Sequence, residues 1–500
     1  MSGYEYALAA TVLAAILVRF RPLGGSRGIR LAVAASLAMV GAGAAQLLAE
    51  GVEWKWVPLY ALVPTLCLLN AIGVYRHRKG TYRPENRWAR IIAGGLALLY
   101  AGSALAIGGY AFPAVQIERP TGPYAVGTVL HHWVDEDREE TYTASAGDRR
   151  EVLVRLWYPA EPASGAERAN YGFGGEETDR AGAAPFLYKV IAESNRKAKG
   201  NAYEEAPVSK ASATYPVLLF SPGFGGSSFM YASVLEELAS RGYIVAAIQH
   251  PHFSYFSTRF PDGRVARGMF DPGASDDWQR SEDLIEEVLV PDVRFVTDKL
   301  EELAGGASGG ELGGKLDLSR LGMLGHSFGG AVTAQAMAAD SRIQAGLGMD
   351  GFLYGKKLTE GLKQPYLYMI TDDTVTFESG KLDRSVWRDK RAFAIPTLAE
   401  YERFAGEQAE RHQLAVRNGG YTVAMHGANH YDFSDGYLYS PLIGSGSGKA
   451  LYDKIDRIVL SFFDQHLLGL SNPLLSPSAP KDPDYAIEAV PPRKEVASDG

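Results

Sequence analysis

The stretch "RLGMLGHSFGGAV", Arg320 to Val332, carries the residue types and spacing of a nucleophile. Within it, Gly325-His326-Ser327-Phe328-Gly329 fits G-x-S-x-G, in which a serine sits on a strained turn from strand to helix. Small neighbours let such a turn close, so the hydroxyl stands at the carboxyl edge of a sheet above a helix amino terminus. "LGML" before it is strand-like and "GGAVTAQAMAAD" after it is strongly helical, which argues against a glycine-rich connection with an incidental serine. Acyl transfer at this serine needs donors for the oxyanion. Phe328 N–H, just after the nucleophile, is one expected donor. The other is Phe224 N–H, in the loop "SPGFGG" that follows the apolar run "YPVLLF".

A base and an acid must complete the set, and in the α/β-hydrolase fold they follow the serine in the order acid, histidine. Of 10 histidines, His77 lies in a basic loop, His326 lies inside the turn, and His131 and His132 come too early in the sheet. His412 and His466 fall on helical patterns. The segment "MHGANHYDFSD" remains, with His426 and His430; His430 lies deeper in the loop beyond its strand and is the expected base. His250 and His252, in "IQHPHFSYF", are out of order for the base and are candidates to line the pocket. Two acids compete. Asp350 ends "AGLGMD", while Asp372 and Asp373 end the next apolar run, "YLYMITDD", and spacing alone leaves the choice open.

These residues are set among short apolar runs, including "EVLVRLWYPA", "YPVLLFSPG", "YIVAAIQHP", "QAGLGMDG" and "YTVAMHGANH", which read as strands. Amphipathic stretches such as "SFMYASVLEELASRG" and "VPDVRFVTDKLEEL" lie between them. Strands alternating with helices predict an α/β domain over residues 116–472 with a mostly parallel sheet flanked by helices. Inserts near 163–212 and 374–418 interrupt the pattern, and such inserts commonly cap a site. The end, 473–500, is Pro-rich and polar and is expected to be disordered.

The first 115 residues differ in kind. Apolar stretches near 3–18, 30–49, 56–75 and 91–113 are each about as long as a bilayer crossing requires, roughly 20 residues. Arg19, Arg21, Arg27 and Arg30 follow the first, and Arg76, Arg78, Lys79, Arg83, Arg87 and Arg90 follow the third. Basic loops stay cytoplasmic, so a four-helix membrane anchor with both termini outside is expected, and with it an extracytoplasmic α/β domain. Glu5 and the lack of Lys or Arg before the first stretch argue against a cleaved signal peptide. The net charge of −8 is mild and gives no support for nucleic-acid binding. The single Cys67 excludes an intramolecular disulfide and a cysteine metal site, and no metal or cofactor is expected. An exported domain without disulfides is ordinary in a bacterium.

The order of "PTGPYAVGT", "VRLWYPA", "FSPGFGG", "GHSFGG", "GMDGF" and "NHYDFSD" resembles the platelet-activating factor acetylhydrolases of the plasma type and their bacterial relatives, over about Thr121 to Leu470. In that family the acid follows the strand after the nucleophile helix, so the resemblance implies Asp350 as acid. It also implies His430 as base and the Phe224 and Phe328 amides as the oxyanion pair. It implies an esterase that releases short or oxidised sn-2 acyl groups from phospholipids. Pro222 stands where the family usually has His, and "HPH" replaces a more charged segment; both put the substrate in question, not the chemistry. A general carboxylesterase for small soluble esters is the alternative. A non-catalytic membrane sensor or scaffold is a third reading, and the full set of Ser, His, acid and oxyanion loop argues against it. No obligate protein partner is implied.

Overall fold

The computed structural model describes all residues but 21–24, 84–85, 146, 172–197, 269–277, 381–396, 446–447, 477–478 and 492–500. The chain divides into two compact units, essentially Met1–Ala114 and the remainder from Val115.

In the first unit, four helices are long and apolar enough to cross a membrane. They are α1 (Gly3–Phe20), α2 (Gly25–Glu50), α3 (Val57–Arg78) and α4 (Arg87–Leu105), the last continued by one wider turn to Ala111. Leu8, Val12, Ile16, Met39, Leu59 and Leu66 form a narrow shared core. Leu37, Leu48, Leu68, Leu96 and Leu99 point outward and are exposed. These helices are apolar all round, with only one strip of each buried against the others.

In the second unit an 11-stranded sheet runs in the order β13-β12-β11-β10-β9-β5-β6-β2-β1-β4-β3. In chain order its strands are β1 (Ala125–Glu139), β2 (Arg149–Ala160), β3 (Arg168–Asn170), β4 (Lys199–Glu204), β5 (Tyr215–Ser221) and β6 (Ile244–Gln249). After a two-stranded ribbon, β7 (Thr258–Arg259) and β8 (Val265–Ala266), come β9 (Leu316–His326), β10 (Ile343–Met349), β11 (Tyr366–Thr371), β12 (Tyr421–Met425) and β13 (Tyr485–Ala489). The run from β6 through β5, β9, β10 and β11 to β12 is parallel. Its strands read as continuous apolar runs because helices cover both faces: every residue of β5 and of β6 is buried. The helix Phe328–Ala339, rich in Ala and Gly, follows β9 directly, and all but its last two residues are buried.

The apolar runs expected as strands form strands. One expectation changes. Its Pro-rich composition predicts disorder over 473–500, but Tyr485–Ala489 pairs antiparallel with β12, from Tyr421↔Ala489 to Met425↔Tyr485. An open edge of backbone donors and acceptors on β12 rewards that pairing, and Tyr485 is buried by it. Of the two inserts, residues 172–197 and 381–396 lie outside the described residues. The described flank of the first supplies β3 and β4 to the sheet, and that of the second supplies the helices Asp372–Glu378 and Leu398–Val416.

Candidate active site

The parallel strands β9 and β10 are in register, with Gly348 opposite Gly325 and Met349 opposite His326, so their carboxyl ends finish together at one edge. Ser327 follows immediately at φ +53° and ψ −122°, a conformation that costs a non-glycine residue free energy. The surroundings hold it there. Ser327 N–H donates to Met349 O at 2.7 Å, and Gly330 N–H donates to Ser327 O at 2.9 Å. The flanking glycines are required by contact: a Cβ on Gly325 would stand 2.1 Å from Gly329 O, and one on Gly329 would stand 2.0 Å from Ser221 O. The elbow therefore wedges its helix against the end of β5.

His430 Nε2 lies 3.0 Å from Ser327 Oγ, and His430 Nδ1 lies 2.8 Å from Asp350 Oδ2. Asp350 is almost wholly buried. Its other oxygen, Oδ1, accepts from Thr371 N–H at 3.0 Å, Thr371 Oγ1 at 3.1 Å and Thr374 Oγ1 at 2.9 Å. Burial alone would raise the Asp350 pKa; the His430 contact and the threonine donors outweigh it and hold the carboxyl below its ordinary value. The geometry is that of a nucleophile, a base that faces it, and an ionised acid fixing the ring's orientation.

The acid and base alternatives pair with each other instead. Asp372 accepts from Gly427 N–H at 2.9 Å and stands 2.9 Å from His426 Nδ1, in an exposed pair. Asp373 lines the cavity at Ser327. That cavity, about 460 Å³, is also lined by Phe224, Phe328, Phe352, Tyr354, Phe377 and Phe404. The rings pack on one another: Phe352 lies 5.2 Å from Phe377 and 5.0 Å from Phe404, and Phe224 lies 5.0 Å from Phe328. Phe377 and Phe404 come from the second insert, so its described part walls the site.

His250 and His252, expected as pocket lining, do not line this cavity. His250 is buried, with Nδ1 2.8 Å from Asp292 and Nε2 3.3 Å from Ser221 Oγ. Asp292 is fully buried between the Arg150 guanidinium and His250, and its charge draws that ring inward. His252 sits at φ +75°, turns its Nδ1 to Arg267 O, and faces a separate cavity with Glu140 and Arg264. Thr371 and Thr374 were not singled out by sequence; threonines directly beside a candidate acid at a strand end were the available signal.

Comparison with known proteins decides the family. The family described as platelet-activating factor acetylhydrolase, isoform II, matches residues 110–268 and 298–441. The chain belongs to this family. It is a carboxylic ester hydrolase, with an α/β fold built on a large, mostly parallel sheet. The platelet-activating factor acetylhydrolase of Cavia porcellus is 24% identical over 385 residues, covering 71% of this chain and 79% of that protein. A probable 1-alkyl-2-acetylglycerophosphocholine esterase of Arthroderma benhamiae is 33% identical over 161 residues, 30% of this chain and 36% of that protein. Among solved structures, a ferulic acid esterase from Streptomyces cinnamoneus superposes with a TM-score of 0.55 at 25% identity, over 75% of this chain and 99% of that one. Ser327, Asp350 and His430 all fall within the matched residues.

Proposed function

We propose that the chain is a membrane-anchored serine esterase using Ser327, His430 and Asp350. The observation that carries this reading is the unbroken sequence of contacts from Ser327 Oγ to His430 Nε2 at 3.0 Å and from His430 Nδ1 to Asp350 at 2.8 Å. Ser327 Oγ attacks the ester carbonyl carbon while its proton passes to His430 Nε2. Negative charge on the former carbonyl oxygen is held by the Phe224 and Phe328 amides. The bond to the alcohol breaks, and His430 returns the proton to that alcohol. Water then attacks the acyl-serine, giving up its proton to His430; the acyl–Oγ bond breaks, His430 returns that proton to Ser327 Oγ, and the acid leaves. Asp350 orients the ring and stabilises its cationic form throughout.

The substrate is a phospholipid or related lipid carrying a short or oxidised sn-2 acyl group, by likeness to the acetylhydrolases named above. The four apolar helices of residues 1–115 anchor the enzyme, and the two arginine-rich loops face the cytoplasm, leaving the hydrolase domain of residues 116–472 outside. A second reading, a carboxylesterase for small soluble esters, is favoured by the likeness to the ferulic acid esterase over nearly all of that chain. A fluorophosphonate probe tests the nucleophile: label must fall on Ser327 and vanish in Ser327→Ala. Hydrolysis of phosphocholines with graded sn-2 chains, set beside soluble aryl and alkyl esters, separates the two substrate classes. Faster turnover of the soluble esters at every chain length would reject the lipid reading.

A further inference from the structure

His326, adjacent to the nucleophile, is almost fully buried, and none of the steps above uses it. Its Nε2 lies 2.9 Å from the backbone carbonyl of His430, and its Nδ1 lies 2.8 Å from Tyr231 Oη. Tyr231 Oη in turn accepts from Gly223 N–H at 3.2 Å. Gly223 immediately precedes Phe224, the oxyanion residue. It also passes tightly under the nucleophile, since a Cβ there would stand 3.1 Å from Ser327 Cβ, 3.2 Å from Tyr231 Oη and 3.3 Å from His326 Nδ1.

Chemistry fixes the direction of each bond. A carbonyl only accepts, so His326 Nε2 carries a proton. Burial, with the neighbouring His430 adding to it, pushes the His326 pKa well down, so the ring is neutral and Nδ1 is an acceptor. Tyr231 therefore donates to Nδ1, and its oxygen is left to accept from Gly223. The bonds run one way, from Gly223 N–H through Tyr231 to His326, and the far side of that ring donates to His430 O. Each polar atom along the path has a partner, with Tyr231 Oη both accepting from Gly223 and donating to His326, as buried polar groups require.

We infer that Tyr231 and His326 are positioning residues, which tie the oxyanion loop to the loop carrying His430 and hold both in register across Ser327. The inference rests on the esterase reading above. The oxyanion loop and the loop carrying His430 must converge on one serine, and beyond them Asp435 N–H donates to Met230 O at 2.7 Å. The relay adds a connection close beside Ser327 itself. It also keeps an uncharged ring beside His430, with centroids 4.6 Å apart, at the moment His430 takes the serine's proton. A second cation there would oppose that step.

Tyr231→Phe tests this, because it keeps the ring packed on Phe220 and removes only the hydroxyl. With p-nitrophenyl acetate and the full chain, kcat falls about tenfold or more while KM stays within about twofold, since the lost alignment acts in the transition state. The unfolding midpoint stays near that of the parent. His326→Leu loses more, and His326→Gln, whose amide can still donate to the His430 carbonyl, recovers part of that loss. Parental kcat in Tyr231→Phe, or an effect carried by KM, overturns the inference. If Tyr231→Phe does not fold, the comparison of His326→Gln with His326→Leu decides: equal kcat in the two overturns the inference. Ser327→Ala run alongside separates the two levels. If it is inactive and Tyr231→Phe is unimpaired, only the relay fails; if it retains parental activity, the esterase reading itself fails.

Discussion

Asp350 and His430 stand 2.8 Å apart although 80 residues separate them, while Asp372, on the neighbouring strand end, stands 2.9 Å from His426. Each candidate acid has thus taken a different histidine, and only one of those histidines reaches Ser327. Asp350→Asn should lower kcat by about three to four orders of magnitude, because the amide holds the imidazole in the wrong tautomer. Asp372→Asn should change it by less than about threefold, as expected for an exposed pair. Steady-state kinetics on one ester decides; the reverse ranking would remove Asp350 from the mechanism.

The aromatic wall makes a separable prediction. Phe404 packs on Phe352 at 5.0 Å and on Phe377 at 5.6 Å, and it lines the cavity. Phe404→Ala removes apolar contact that binding uses and the transition state shares. KM for an ester with a large acyl group should rise about tenfold, with kcat for an acetyl ester within about threefold. A collapse of kcat on the acetyl ester would mean that the ring supports the catalytic residues instead of the substrate.

Much of this arrangement was legible in the sequence for one physical reason. Strands buried on both faces must be apolar throughout, so β5, β6, β9, β10, β11 and β12 announce themselves, and the serine's place after β9 follows. Spacing leaves the candidate acid open, and only the family resemblance points to Asp350. Strands β10 and β11 are parallel with Met349 opposite Met369, so Asp350 and Asp372 both stand at the same sheet edge, and only the side-chain directions separate them. The 15-residue β1 does not read as an apolar run because "HHWVDEDRE" mixes charge with aromatic residues; it pairs with β2 over most of its length and carries ion pairs such as Arg138 with Asp135 and Asp292. His250 and His252 failed as pocket residues because a buried carboxylate and a left-handed backbone, neither visible in spacing, turned them away.

The strand at the end of the chain gives a third test. β13 covers the edge of β12, Asp484 O accepts from His426 N–H at 2.8 Å, and Lys454 bridges Asp482 and Asp484. A chain ending at Pro483 loses the pairing and leaves a bare strand edge. Its unfolding midpoint should drop by about 5 °C, with more aggregation on heating. An unchanged midpoint in differential scanning fluorimetry would mean that the strand contributes nothing to stability.

Buried carboxylates set a pH dependence of opposite sign to the usual acid limb. Burial pushes Glu236 up to about 7, against hydrogen bonds from Asn201 and Ala202. Burial likewise pushes Asp435 up to about 6, against donors from Tyr171, Ser233 and Tyr452. Unfolded, both groups titrate near about 4. Between about pH 4 and 7 the folded protein therefore holds protons that the unfolded chain has released, and stability from these groups falls as pH rises through that window. Asp292 works the other way: burial opposes its charge, but Arg150 and His250 hold its pKa far down, so its contribution is lost only in strong acid. The stability contributed by Glu236 and Asp435 should thus be larger at pH 5 than at pH 8, whereas His326, whose pKa burial lowers, takes stability away as pH falls below about 6.5. Asp435→Asn removes one titration, so it should cost stability at pH 5 and cost less, or stabilise, at pH 8. Thermal unfolding of parent and variant at the two pH values measures this. Equal shifts at both would exclude Asp435 as a source of the slope.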